Sequence, residues 1–239
     1  MRFVILRAAC LVAAGLVQAQ EGLTVNQRLI VACHRVDIEG VVAAIRAGAD
    51  VNARFGEGDA KVFQDPWSLG WPLAGKAWTP LMAVASASKY PDPPRRVEST
   101  IADMDWARAE QKKISPDRIQ QRERDSLTIL WILLSHKAEI DADDGYGATA
   151  LYEAIYEKKE AMAKVLLQSG AKVNTKTGIY IDGSGDITPL HRAYWSAELT
   201  RLLLEKGADT KAKSTNGETP LDWARQHGDA GVLRAYGSR

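Results

Sequence analysis

Two cysteines, three phenylalanines, four methionines and four histidines are few for a chain of 239 residues, and the shortages narrow what it can be. Cys10 lies in the first nineteen residues, so if that stretch is removed Cys33 stands alone and no internal disulfide can form. Cys33 follows Leu29-Ile30-Val31-Ala32, a setting that predicts a buried and inert thiol. The histidines, His34, His136, His191 and His227, are scattered and belong to no metal, phosphate or nucleophile motif. Excess charge is missing too: 31 Lys and Arg stand against 30 Asp and Glu, which gives no electrostatic ground for binding nucleic acid. What remains, 46% hydrophobic and 26% charged, is the composition of a globular protein able to build a core from packing alone.

The first nineteen residues stand apart. Arg2 and Arg7 precede an apolar stretch, Ala8 to Val17, which ends in Val17-Gln18-Ala19. This order predicts a secretory signal peptide cleaved after Ala19 and a periplasmic or secreted product. A membrane anchor needs about 20 uninterrupted apolar residues, and Arg7 breaks this run. Once the leader is removed, no membrane span is expected.

Self-similarity is the strongest signal in the rest. Thr79-Pro80-Leu81, Thr188-Pro189-Leu190 and Thr219-Pro220-Leu221 repeat, with Thr149-Ala150-Leu151 a near copy. A second phrase follows each apolar helix: Gly48-Ala49-Asp50-Val51-Asn52, Lys137-Ala138-Glu139-Ile140-Asp141, Gly170-Ala171-Lys172-Val173-Asn174 and Gly207-Ala208-Asp209-Thr210-Lys211. Lys137 and Gly170 start 33 residues apart.

These phrases, above all Thr188 to Ala193 and Leu202 to Asp209, resemble the ankyrin-repeat family. The resemblance implies an all-α solenoid of stacked helix pairs with hairpin fingers, and a structural His191 bonding backbone near Thr188. Local chemistry agrees. Thr can cap the first helix of a unit, Pro suits its first turn, and Gly ends the second helix in the left-handed conformation. After the leader, residues 20–239 read as one domain of five units: 25–54, 79–147, 148–178, 187–216 and 218–239. Asp37 is the expected cap of the second helix of unit one. The first and last units depart from the pattern, as units that face water must. The leucines 81, 133, 134, 151, 166, 167, 190, 203, 204 and 221 should line a shared core.

Two insertions break the period. The extended loop 55–78 holds Phe63, Trp67, Trp71 and Trp78 among Gly and Pro. Trp67 and Trp71 either fold back over the edge of the stack or anchor a partner. Segment 89–125 interrupts unit two; it reads as helical around 101–111 and charge-rich over 117–125, where Arg118, Arg122, Glu123 and Arg124 form a solvated face. A smaller extension, 175–186, reads as an enlarged finger; its Asp182, Gly183 and Asp186 lack calcium-loop spacing.

No catalytic residue, metal ligand or cofactor is expected. An enzyme centred on Asp103, Asp105 or Glu110 would lack any paired acid, base or nucleophile motif. By the resemblance, the concave face takes Glu153, Tyr156, Arg192, Trp195, Trp223 and Gln226. Tyr156 and Trp195 are the stronger contact candidates, while Trp223 could equally be packed in the cap. The expected partner is another protein, bound by a chain that is otherwise a monomer. The chain resembles exported bacterial ankyrin-repeat proteins, which suggests either an antidote to a secreted toxic effector or an accessory of a periplasmic enzyme such as a catalase.

Overall fold

The computed structural model describes residues 22–55, 77–87, 115–178, 185–227 and 231. Its helices are α1 (Val25–Arg35), α2 (Ile38–Arg46), α3 (Pro80–Ser86), α4 (Pro116–Ser135), α5 (Ala150–Tyr156), α6 (Glu160–Gln168), α7 (Pro189–Arg192), α8 (Ala197–Glu205) and α9 (Pro220–His227), with a 3₁₀ turn at Ala193–Trp195. They pack in two rows. The inner row runs α1, α3, α5, α7, α9, and the outer row α2, α4, α6, α8, each helix touching its neighbours in the row.

The ends of these short helices are set by the expected residues. The Thr79, Thr149 and Thr219 hydroxyls accept from the backbone N–H groups of Met82, Tyr152 and Asp222 at 3.3, 3.4 and 3.3 Å. Asp37 likewise accepts from Gly40 N–H at 3.0 Å. Each cap satisfies a donor that a helix start otherwise leaves bare, an effect of about 1 kcal/mol. Gly48, Gly170 and Gly207 have φ of 88°, 93° and 84° where outer helices end. At the same place in unit two stands Lys137, with φ 64°, and between α1 and α2 stands Val36, with φ 60°. A β-branched residue there is strained, and nothing in the repeat phrases announced it.

One apolar cluster runs from Leu29 to Ala224 through every unit. Leu81, Leu133, Leu151, Leu166, Leu167, Leu190 and Leu203 are buried in it, whereas Leu134, Leu204 and Leu221 are only partly buried against it. Cys33 is fully buried, and burial pushes its thiol pKa far above the ordinary value.

The finger turns are stitched by one recurrent device. Asn174 donates its amide to the Gly207 carbonyl at 3.0 Å and accepts from Asp209 N–H at 2.8 Å, across 33 and 35 residues. Asn52 makes the same pair with the Lys137 carbonyl at 3.3 Å and Glu139 N–H at 2.8 Å, across 85 and 87 residues. Units one and two are therefore stacked in the ordinary register, and the insertions leave that register unchanged. Asp141, lacking the amide, keeps only the accepting half, from Lys172 N–H at 2.8 Å.

The insertions join the stack at defined points. Phe55 and Trp78, the ends of the first loop, exchange backbone hydrogen bonds of 2.9 and 3.0 Å. The second insertion does not end at residue 125 as expected: α4 starts at Pro116, so 116–125 extend the outer helix of unit two. Arg122 is consequently not a solvated residue; half-buried, it donates to the Arg35 carbonyl at 2.7 Å, while Arg118, Glu123 and Arg124 are exposed. In the third extension, Thr177 exchanges backbone bonds with Asp186 and Ile187, forming the base of the expected finger. The helix expected around 101–111 and the centre of that finger, 179–181, lie outside the described residues, as do Trp67 and Trp71.

Candidate functional site

The Thr that opens each inner helix sets a common register. The fourth residue after it is Ala83, Glu153, Arg192 and Trp223 in units two to five, and the seventh is Ser86, Tyr156, Trp195 and Gln226. Stacking the units lines these positions up along the inner row, so residues distant in sequence become neighbours.

The result in units three to five is a ladder of rings around one cation. The Arg192 guanidinium carbon lies 5.2 Å from the centre of the Tyr156 ring and 4.7 Å from that of Trp223, contributed by the units on either side. Both are cation–π distances, worth about 0.5–1 kcal/mol each at an exposed site. Arg192 Nε donates to the Tyr152 hydroxyl at 3.2 Å, and Tyr152 stacks on Tyr156 with 6.3 Å between ring centres. Burial raises the Tyr156 pKa, opposed by the nearby Arg192 charge.

Trp223 is fixed in turn: its indole N–H donates to a Glu218 carboxylate oxygen at 3.0 Å, and Gln226 donates to the other at 2.9 Å. The ladder ends in His227, whose ring lies 5.6 Å from both Trp223 and Tyr194. Beneath it, His191 is fully buried, accepts from Thr188 N–H at 3.2 Å and lies 3.1 Å from the Glu218 carbonyl. The second contact assigns the proton to Nε2, and burial lowers the pKa accordingly.

Of the six concave-face residues expected in units three to five, Tyr156, Arg192 and Trp223 form one cluster, and the exposed Gln226 joins it through Glu218. Trp223 is half-buried: it packs against the small cluster of Ala148, Tyr152 and Ile187 and keeps part of its surface exposed. Glu153 is 9% exposed, lower than a surface contact requires. Trp195 is half-buried and donates its indole N–H to the Ile155 carbonyl at 3.2 Å, which makes it a joint between units as well as a surface ring. Sequence reading missed Tyr152 and His227. Their signal was present as spacing: Tyr152 stands four residues before Tyr156, and His227 four after Trp223, one helical turn in each case.

A second polar feature lies toward the N-terminal half. Lys159, half-buried, donates to the Val84 carbonyl at 2.9 Å and so ties α3 to the α5–α6 turn; burial lowers its pKa to about 7. Among the described residues no group of three or more His, Cys, Asp or Glu is placed to hold a metal ion, and no helix is long and apolar enough to cross a membrane.

Comparison with known proteins agrees with this architecture. The ankyrin-repeat family model matches residues 146–178. The chain is 39% identical over 85 residues to human Ankyrin repeat and SOCS box protein 9, covering 35% of this chain and 26% of that protein. It is 35% identical over 109 residues to Ankyrin repeat and SOCS box protein 11 of Danio rerio, covering 45% and 35%. Human Rabankyrin-5 is 39% identical over 90 residues, covering 34% of this chain and 8% of its own length. The chain thus spans about a third or less of these relatives, and the likeness concerns the repeats. Two rows of helices, fingers stitched by Asn52, Asp141 and Asn174, and the match over 146–178 give this chain the fold of an all-α ankyrin-repeat solenoid.

Proposed function

We propose that this is a non-catalytic, exported protein that binds another protein through the inner strip of units three to five. One observation carries the reading: Arg192, Tyr156 and Trp223 come from three successive units and converge on the inner helices, each keeping part of its surface exposed. Aromatic residues and arginine are the side chains that dominate binding energy at protein interfaces. The leader read from residues 1–19 supports a periplasmic setting, and there the sharpest form of the role is an antidote that occludes a toxic effector. An accessory role beside a periplasmic enzyme uses the same surface.

The test is capture from the periplasm with the wild-type chain and with Tyr156→Ala/Trp223→Ala. A stoichiometric protein retained by the wild type and lost by the folded double variant is the expected result. Its identity decides between effector and enzyme. Retention of the same protein by both chains would reject the strip as the binding surface, and turnover of a small molecule without a partner would reject the non-catalytic reading. Sequencing the N-terminus of the exported chain tests the leader; a mature form starting at Gln20 is expected.

A further inference from the structure

The strip's central cation is prepared for something it does not have. Arg192 spends Nε on the Tyr152 hydroxyl and lies over two aromatic rings. Its two terminal NH₂ groups make no hydrogen bond, and no carboxylate lies within ion-pair distance of it, among the described residues. Two acids of the last unit are engaged otherwise. Glu218 is held by Trp223 and Gln226, and Asp222 by Thr219 and Arg225.

Orientation matters here as much as charge. Two ring contacts and the Nε–H bond to the Tyr152 hydroxyl hold the Arg192 guanidinium in place and leave unused donors on the edge that carries its two terminal NH₂ groups. Much of the side-chain entropy that a free surface arginine would lose on binding is already lost. The group that fits such an edge is a carboxylate, which accepts two parallel N–H bonds from the fork. An ammonium is repelled, and an amide offers one acceptor without charge. Half-burial of Arg192 strengthens the discrimination, because water screens the pair less than it would on an open surface.

We propose that Arg192 is the receptor for an acidic side chain of the partner protein, whose carboxylate seats on the two free NH₂ groups while neighbouring apolar groups cover Tyr156 and Trp223. The inference rests on the inner strip being the partner surface and adds the chemistry of what docks there.

The experiment needs no identified partner. The mature ¹⁵N-labelled chain is titrated with three capped peptides, hexaglutamate, hexaglutamine and hexalysine, while the Arg192 Nε–H and Trp223 indole signals are followed. Hexaglutamate should move both signals and the other two peptides neither, with the response weakening at high salt. Arg192→Gln should abolish the Trp223 response. Arg192→Lys, which keeps the charge and loses the fork, should weaken hexaglutamate binding about tenfold or more. Equal responses to hexaglutamate and hexaglutamine, or a Lys variant that binds as tightly as wild type, would overturn the proposal. The comparison among peptides on the wild-type chain holds even if a variant melts. Failure here leaves the strip as a protein surface intact, since that reading is decided by the Tyr156→Ala/Trp223→Ala capture.

Discussion

Helices α3 and α5 hold the same place in successive units, yet their sequences serve different ends. From Pro80 to Ala85 every residue of α3 is buried, and the register positions that elsewhere carry Glu153, Arg192 and Trp223 hold Ala83. In α5 the residues of the shared core, Leu151, Ala154 and Ile155, are equally buried, but Tyr152 and Tyr156 build one end of the ring ladder. The solenoid thus fixes a few apolar positions per unit and leaves the fourth and seventh after each Thr to the individual unit. Unit two uses them for packing, whereas units three to five use them for polar and aromatic chemistry.

That contrast can be broken most severely by moving the chemistry of α5 into α3. Ala83 is 1% exposed, so Ala83→Glu puts a carboxylate into a buried, alanine-sized position. A loss of about 3–5 kcal/mol is expected, read as a fall in the denaturant midpoint. A mild effect would mean that the site of Ala83 can house a carboxylate as the buried Glu153 site of α5 does. The shared core should treat both regions alike: Leu81→Ala and Leu190→Ala, each at 1% exposure, should each cost about 2–5 kcal/mol. An unchanged melting temperature in either would remove that layer from the stack.

Next in size comes the C-terminal region's own dependence on pH. Burial holds the His191 pKa below its ordinary 6.5, so the folded state prefers the neutral ring and the unfolded chain takes up the proton first as pH falls. The stabilisation is complete above about pH 6.5 and is lost as pH drops below it toward the folded pKa. Denaturant midpoints measured from pH 8 to 5 should fall on the acid side, and His191→Gln should flatten that slope. A slope that survives the substitution would place the titration elsewhere.

The smallest effects are expected at the unit joints. Lys137 adopts the left-handed conformation that Gly48, Gly170 and Gly207 adopt in the other units. Lys137→Gly should stabilise unit two by about 0.5–1 kcal/mol, and Gly170→Ala should destabilise unit three by a similar amount. Gain from both, or loss from both, would show that the two ends are not equivalent.

Much of this was legible in the sequence because repetition displays the same physical solution several times. Thr caps, terminal Gly residues and the Asn52 and Asn174 positions recur, so the stack and its register follow from the chain. The start of α4 was also written there, as Ser115-Pro116-Asp117, but a charge-rich run masked it as an ending rather than a helix beginning. Other features depend on contact across units and have no local signature. That Arg122 turns back to the Arg35 carbonyl, that Trp195 joins Ile155, and that Arg192 settles over rings from both neighbours are consequences of stacking. The left-handed Val36 contradicts its residue type and could be found only in the fold.

Recognition by the inner strip is tested most directly by calorimetry on the protein that the chain captures. Tyr156→Ala/Trp223→Ala should bind at least about tenfold more weakly than wild type while keeping the circular dichroism of an intact stack. Undiminished affinity in a double variant that is fully folded would contradict it.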